Sequence, residues 1–297
     1  MVHEYADALL SPSGPMRFIT GWSSGPGVQT ALALYETGAT LYLTARDIGK
    51  ARIALNKIIH SPRVHLLHLD LKSFASVRAC ANEFQAASST LNILIENAGV
   101  MTCPESQTMD GFETQLAINH LVHFLLLQLL KPVLLASSTP KFNSRVIILS
   151  SVAHRYSDVN FHNINLGGEY DPWKAYDQSK TADLWTANDI KGRYGPCGLH
   201  AFSLHPGGIS TDLQRHVPTE QRAMRAKEKE TSRYWKSPDQ GAASTVWAAI
   251  SVELEGRSGK YLEDCSIAEP NVAVDNSQGK DHATWAYSPD AEGRWKC

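Results

Sequence analysis

The chain has 297 residues, 43% of them hydrophobic and 20% charged, with a formal net charge of −2. That composition supports a large buried core and excludes a disordered chain, and so small a charge gives no basis for nucleic-acid or anionic-membrane partners. Five cysteines (Cys80, Cys103, Cys197, Cys265 and Cys297) are scattered, odd in number and without a CxxC pair, which points to reduced thiols and a cytoplasmic location.

Residues 1–15 carry acidic side chains and no long apolar core, unlike a secretory signal. A first apolar strand at 17–20 runs into Thr20-Gly-Trp-Ser-Ser-Gly-Pro-Gly27 and then a helix at 27–37. Gly21, Gly25 and Gly27 allow a tight turn whose N–H groups approach phosphate oxygens; Ser24 lies within it, and Pro26 costs no needed N–H near the helix start. A glycine-rich turn placed between the first strand and its helix indicates a dinucleotide site.

The second strand, 40–44, ends in Thr44-Ala45-Arg46-Asp47. An NAD site places an acid there for the ribose hydroxyls; Ala45 takes that place, and the Arg46 guanidinium suits a 2′-phosphate, so NADP(H) is expected. The alternative leaves Arg46 on the surface and gives the ribose to Asp47.

Helix-like stretches at 48–59, 74–87, 116–136, 173–194 and 238–250 alternate with continuously apolar strands at 64–69, 91–95, 145–149, 199–204 and 260–262. This alternation predicts an α/β, doubly wound Rossmann fold with a mostly parallel seven-stranded sheet covered on both faces. One domain is expected across 1–297, its core at about 17–262. The leucine-rich 116–136 segment is interrupted by Asn119, His120, His123, Gln128, Lys131 and Pro132. It therefore reads as a buried or interface helix and not as a membrane span. Long connections at 152–172 and 207–237 follow strand C-termini, where ligands of open α/β sheets sit. The second holds seven basic and three acidic residues between 213 and 236 and is expected to cover the substrate.

Tyr176 and Lys180 are four residues apart in a helical stretch, which puts them on one face, one turn apart. A phenol holds its proton to a pKa of about 10, and an ammonium about 4.5 Å away supplies on the order of 3–4 kcal/mol at an effective dielectric near 20. One lysine can thus make a tyrosine a general acid or base. His65/His68 and His120/His123 have no carboxylate or cysteine at ligand spacing, so no metal is expected.

Taken in order, Thr20-Gly-x-x-x-Gly-x-Gly27, Asp70, Asn97-Ala-Gly99, Asn119, Ser151, Tyr176-x-x-x-Lys180 and Pro206-Gly207 with Thr211 resemble the short-chain dehydrogenase/reductase family in its single-domain form. The gap of 25 residues between Ser151 and Tyr176, with Asn119-His-Leu-x-His-Phe124, looks like the retinol-dehydrogenase and WW-domain-oxidoreductase-like branch, and still more like its fungal secondary-metabolite reductases. The resemblance implies that Tyr176 exchanges a proton with the substrate oxygen and Ser151, in preference to Ser150, hydrogen-bonds that oxygen. It implies that Lys180 lowers the Tyr176 pKa and holds the nicotinamide ribose, and that Asn119 kinks its helix and holds a water. Asp70 would meet the adenine, Asn97 the adenosine ribose, and Ile209 and Thr211 the nicotinamide amide and a phosphate. Glu96 and Trp22 depart from the family pattern.

The expected activity is NADPH-dependent reduction of a lipophilic ketone, aldehyde or polyketide-type carbonyl, reversible as alcohol dehydrogenation. Two alternatives stand beside it: a catalytically silent NADP-binding sensor or scaffold, and oxidation of a retinoid- or steroid-like alcohol. The 116–136 and 173–194 helices resemble the pair that forms a four-helix interface in the family, so a homodimer is expected.

Overall fold

The computed structural model describes residues 15–55, 58–223, 235–270 and 281–288. Part of the expected substrate cover, 224–234, lies outside the described residues, as does Cys297.

The order is β1 (Met16–Thr20), α1 (Pro26–Glu36), β2 (Thr40–Ala45), α2 (Ile48–Ala54), β3 (Val64–His68), α3 (Phe74–Ala87), β4 (Ile93–Glu96), α4 (Thr114–Ala136), β5 (Ser144–Leu149), α5 (Pro172–Tyr194), β6 (Leu199–His205), α6 (Pro238–Ile250), β7 (Lys260–Glu263) and β8 (Ser266–Ile267). The sheet runs β8-β7-β6-β5-β4-β1-β2-β3. All its pairings are parallel except β7 with β8. The expected seven strands are present, and the eighth is a two-residue antiparallel edge. The expected 48–59 helix is shorter, its last helical residue being Ala54 with Leu55 as its cap.

Alternate side chains on each central strand enter opposite cores. Phe18, Leu94, Val146 and Ile148 pack with α3 and α4 residues such as Phe84, Leu126 and Leu130. Ile19, Leu43, Ile95 and Ile147 pack with Leu34 of α1 and Ala248 of α6. Strand β1 lies between β2 and β4, so the chain leaves it in one direction and returns on the other side. A crevice opens at that reversal, beyond the carboxyl ends of the strands.

Helix α4 is long and apolar enough to cross a membrane by length and composition alone, but half of its most apolar window is buried within the fold. Its Leu125, Leu129 and Val133 pack against the same core as α3. Its first turns are not α-helical throughout: Ala117–Leu121 is a π-helical turn. The wider turn centres on Asn119, where the family resemblance implies a kink.

Part of α5 is covered from within the chain. Phe161, from the 152–172 connection, stacks on Trp185 with centroids 6.1 Å apart. Trp185 donates to the Trp285 carbonyl at 3.1 Å and Asn188 to the Ala286 carbonyl at 2.7 Å. Light scattering over a dilution series tests the homodimer: twice 32.7 kDa is expected at high micromolar concentration, and a mass staying near 32.7 kDa would mean that the chain's own segments provide the cover.

Candidate active site

The glycine-rich turn is built by close approach. Gly21 has φ +64°, and a Cβ there would lie 2.4 Å from the Ala98 Cα; a Cβ on Gly27 would lie 2.5 Å from the Gly21 carbonyl. Neither position tolerates a side chain without moving backbone. Asn97 locks the turn from below, its amide donating to the Thr20 and Gly21 carbonyls at 3.0 and 2.7 Å. The α1 N-terminus has Gly25 as its cap and no side-chain cap bond, so its first N–H groups face the crevice as anion donors.

The crevice has a volume of about 1050 Å³. One end is lined by Arg46, Asp70 and Leu71, the middle by Gly21, Ser24, Gly25 and Pro26, and the other end by Ser151, Tyr176 and Lys180. Asn97, Ile209 and Thr211 line it too. All the sequence-derived site residues except Gly27 and Asn119 therefore border one cavity; those two stand directly behind it. Asp47 does not line the crevice, and its carboxylate caps α2, accepting from Lys50 N at 3.0 Å. These features fit a nicotinamide dinucleotide: an uncapped helix N-terminus for its phosphates, a cation at the β2 end and proton-transfer groups at the far end.

Asn119 holds its part of the site through its amide. It accepts from Val100 N at 2.8 Å and donates to the Val100 carbonyl at 3.0 Å and to Ser179 Oγ at 2.9 Å. Its own carbonyl is 2.9 Å from His123 Nδ1. The two serines differ in their partners. Ser150 Oγ donates to the Lys180 carbonyl at 2.6 Å and is spent on α5. Ser151 Oγ accepts from Ala153 N at 3.2 Å and lines the crevice near Tyr176, whose phenol it helps to hold down.

Lys180 is 5% exposed. Its Nζ lies 5.9 Å from the Tyr176 ring centre, and donates to the Leu149 carbonyl at 2.7 Å and to Asp183 Oδ2 at 2.8 Å. The simple Tyr–Lys argument is corrected here. Burial pushes the Tyr176 phenol above its ordinary value, and Lys180 and Ser151 pull it only part of the way back, with Asp183 and Asp177 opposing them. The phenol keeps its proton at neutral pH, the form that donates to a carbonyl oxygen.

The two departures from the family pattern lie outside the crevice. Trp22 is fully buried in the core under the turn. Glu96 is 3% exposed, and burial holds its carboxyl well above the usual range, with Asp183 adding to the effect. Burial thus favours its neutral form.

Sequence reasoning missed several wall residues. Met101, Trp173 and Leu213 pack with Tyr176 in one apolar cluster and border the crevice. Tyr156, 60% exposed, stands at its rim. Only their place in the fold brings them together. Asp177 also borders the crevice, and burial, with Asp171 nearby, raises its carboxyl to about 7. The folded chain thus holds this proton more tightly than the unfolded chain. Its cost to stability grows as pH rises from the ordinary carboxylate range to about 7 and is constant above that. Asp177→Asn is therefore expected to raise the melting temperature at pH 8 and to leave it nearly unchanged at pH 4; equal gains at both would refute the linkage. Among the described residues no cluster of three or more metal-ligating side chains occurs.

Comparison with known proteins agrees with this geometry. The family model described as short chain dehydrogenase matches residues 16–222. The chain is 50% identical over 274 residues to the short-chain dehydrogenase/reductase prx1 of Penicillium roqueforti, covering 92% of this chain and 80% of that one. It is 42% identical to the oxidoreductase calI of Penicillium decumbens, covering 94% and 84% of the two chains. In fold it is similar to the Pseudomonas aeruginosa RhlG/NADP active-site complex, with a TM-score of 0.69 at 24% identity, over 86% of this chain and 96% of the other. The sheet order, the glycine turn, the buried tyrosine–lysine pair and these matches together make the chain a member of the short-chain dehydrogenase/reductase family, an oxidoreductase of the fungal secondary-metabolite kind.

Proposed function

We infer that the protein reduces a lipophilic ketone or aldehyde, a polyketide-type carbonyl included, at the expense of NADPH, working as one Rossmann-type domain. The observation that carries this is the proton-bearing Tyr176 with Ser151 and Lys180 lining the same crevice as Arg46. A bound NADPH supplies the hydride. Gly21, Ser24, Gly25 and Pro26 hold its pyrophosphate at the α1 N-terminus, with Thr211 over the turn: a Cβ on Gly25 would lie 2.9 Å from the Thr211 methyl. Arg46 meets the 2′-phosphate and Asp70 the adenine. Ser151 orients the carbonyl oxygen, and Tyr176 donates its proton as negative charge develops there. Met101, Trp173, Leu213 and Tyr156 give the substrate end an apolar wall with an open rim, which supports a hydrophobic substrate. The described part of the 207–237 connection supplies Leu213 to that wall, in keeping with a substrate-covering role.

Burial keeps the Tyr176 phenol protonated at neutral pH, the form that protonates a carbonyl oxygen, which supports the reduction reading; oxidation of a retinoid- or steroid-like alcohol would run through the same groups in reverse. The silent-binder reading is weakened because its two supports, Trp22 and Glu96, do not border the crevice. A panel of hydrophobic ketones and aldehydes with NADPH, followed at the nicotinamide absorbance band, tests the assignment. Turnover of at least one class is expected; tight NADPH binding with no oxidation across the panel would favour the sensor.

A further inference from the structure

The helix that carries Tyr176 and Lys180 carries a third charged group aimed at the same ammonium. Asp183 lies three residues beyond Lys180, and the two side chains form an ion pair of 2.8 Å at 2% and 6% exposure. The other carboxylate oxygen of Asp183 is 3.3 Å from His120 Nδ1, on the π-helical turn that also presents Asn119. An ammonium has three donors. Two are committed, to the Leu149 carbonyl and to Asp183, and Lys180 borders the crevice, so the third is the one available to a bound ribose and to the field felt by Tyr176.

We propose that Asp183 is a positioning residue of this site: it holds the Lys180 ammonium from behind and divides its positive field between carboxylate and phenol. The inference rests on the reductase reading above.

Geometry sets the sign. Both side chains of the pair are buried. Glu96 faces it from β4, burial pushing its carboxyl well above the usual range; His120 and His123 face it from α4, and burial holds His123 down to about 4, so it is neutral at pH 7. From α5 itself come Asp177 and Tyr176, and from the end of β5 the Leu149 carbonyl and Ser151. Asp183 is thus the one of these groups in direct ionic contact with Lys180. Neutralising it returns the whole ammonium field to Tyr176, which makes the phenol more acidic.

The test reads the phenol directly. The full chain, without cofactor, is labelled with 13Cζ-tyrosine, and the Tyr176 signal is assigned as the one missing from Tyr176→Phe. Wild-type Tyr176 is expected to ionise above the ordinary value of about 10, and Asp183→Asn is expected to lower that midpoint by about one unit. Asp183→Glu, which keeps the charge, is expected to remain near wild type. Should Asp183→Asn fail to fold by circular dichroism, Asp183→Ser serves as the neutral variant. A wild-type midpoint below the ordinary range, or a neutral folded variant whose midpoint stays within about 0.3 unit of wild type, would overturn the proposal. A purely structural Asp183 would change melting temperature without moving the signal. Because no substrate enters this measurement, its failure is distinct from that of the carbonyl-reductase reading, which only the substrate panel decides.

Discussion

Tyr176→Phe is expected to lose turnover by roughly 10²–10⁴-fold, the usual contribution of a positioned general acid, while binding NADPH as the wild type does. The substitution removes one oxygen. The ring stays in its apolar cluster with Met101, Ala153 and Val217, so no cavity opens and the fold is not at risk. The oxygen lost is the phenol oxygen that lines the crevice with Ser151 and Lys180. Steady-state rates on any active substrate from the panel, with fluorescence titration of NADPH, separate the two effects. Turnover close to wild type would end the assignment of Tyr176 as the proton donor.

Arg46→Ala is expected to weaken NADPH far more than NADH, because only NADPH presents the 2′-phosphate. A charge-assisted hydrogen bond is worth about 1.5–3 kcal/mol, so the selective loss should be roughly ten- to a hundredfold. Arg46 is exposed at the end of β2 and borders the crevice, whereas its neighbour Asp47 is committed to the α2 N-terminus. Solvent exposure puts the effect toward the lower part of that range at physiological salt. Equal weakening of both cofactors, measured by the same titration, would show that another group makes the discrimination.

Much of this architecture was legible before the structure. The seven principal strands and their intervening helices announce themselves through apolar runs separated by polar helical faces, because a sheet buried on both sides leaves little freedom in strand composition. Tyr176, Lys180, Ser151 and Asn119 were legible for another reason: their chemistry demands particular residue types at particular places along the fold. What the sequence hid was charge state and cover. Glu96 reads as an anion, yet desolvation favours its neutral form. Tyr176 reads as a phenol made acidic by one lysine, yet burial and Asp183 reverse the balance. Asp183 could have been found, since a lysine and an aspartate three apart on a helix face one another. That this pair is buried, and so strong enough to matter, depends on residues far away in the chain. The cover on α5 was hidden for the same reason: nothing local to that helix reveals that residues 285–287 pack upon it.

That last contact reaches the chemistry. Ala283 N donates to His154 Nε2 at 3.2 Å, and the opposite nitrogen of the same ring lies 2.6 Å from the Ser151 carbonyl. Burial holds this imidazole down to about 3, so it is neutral, with Nε2 accepting and Nδ1 donating. The backbone that carries Ser151 is thus braced by a segment 129 residues downstream of His154, so a substitution in residues 281–287 can move the serine without touching the crevice.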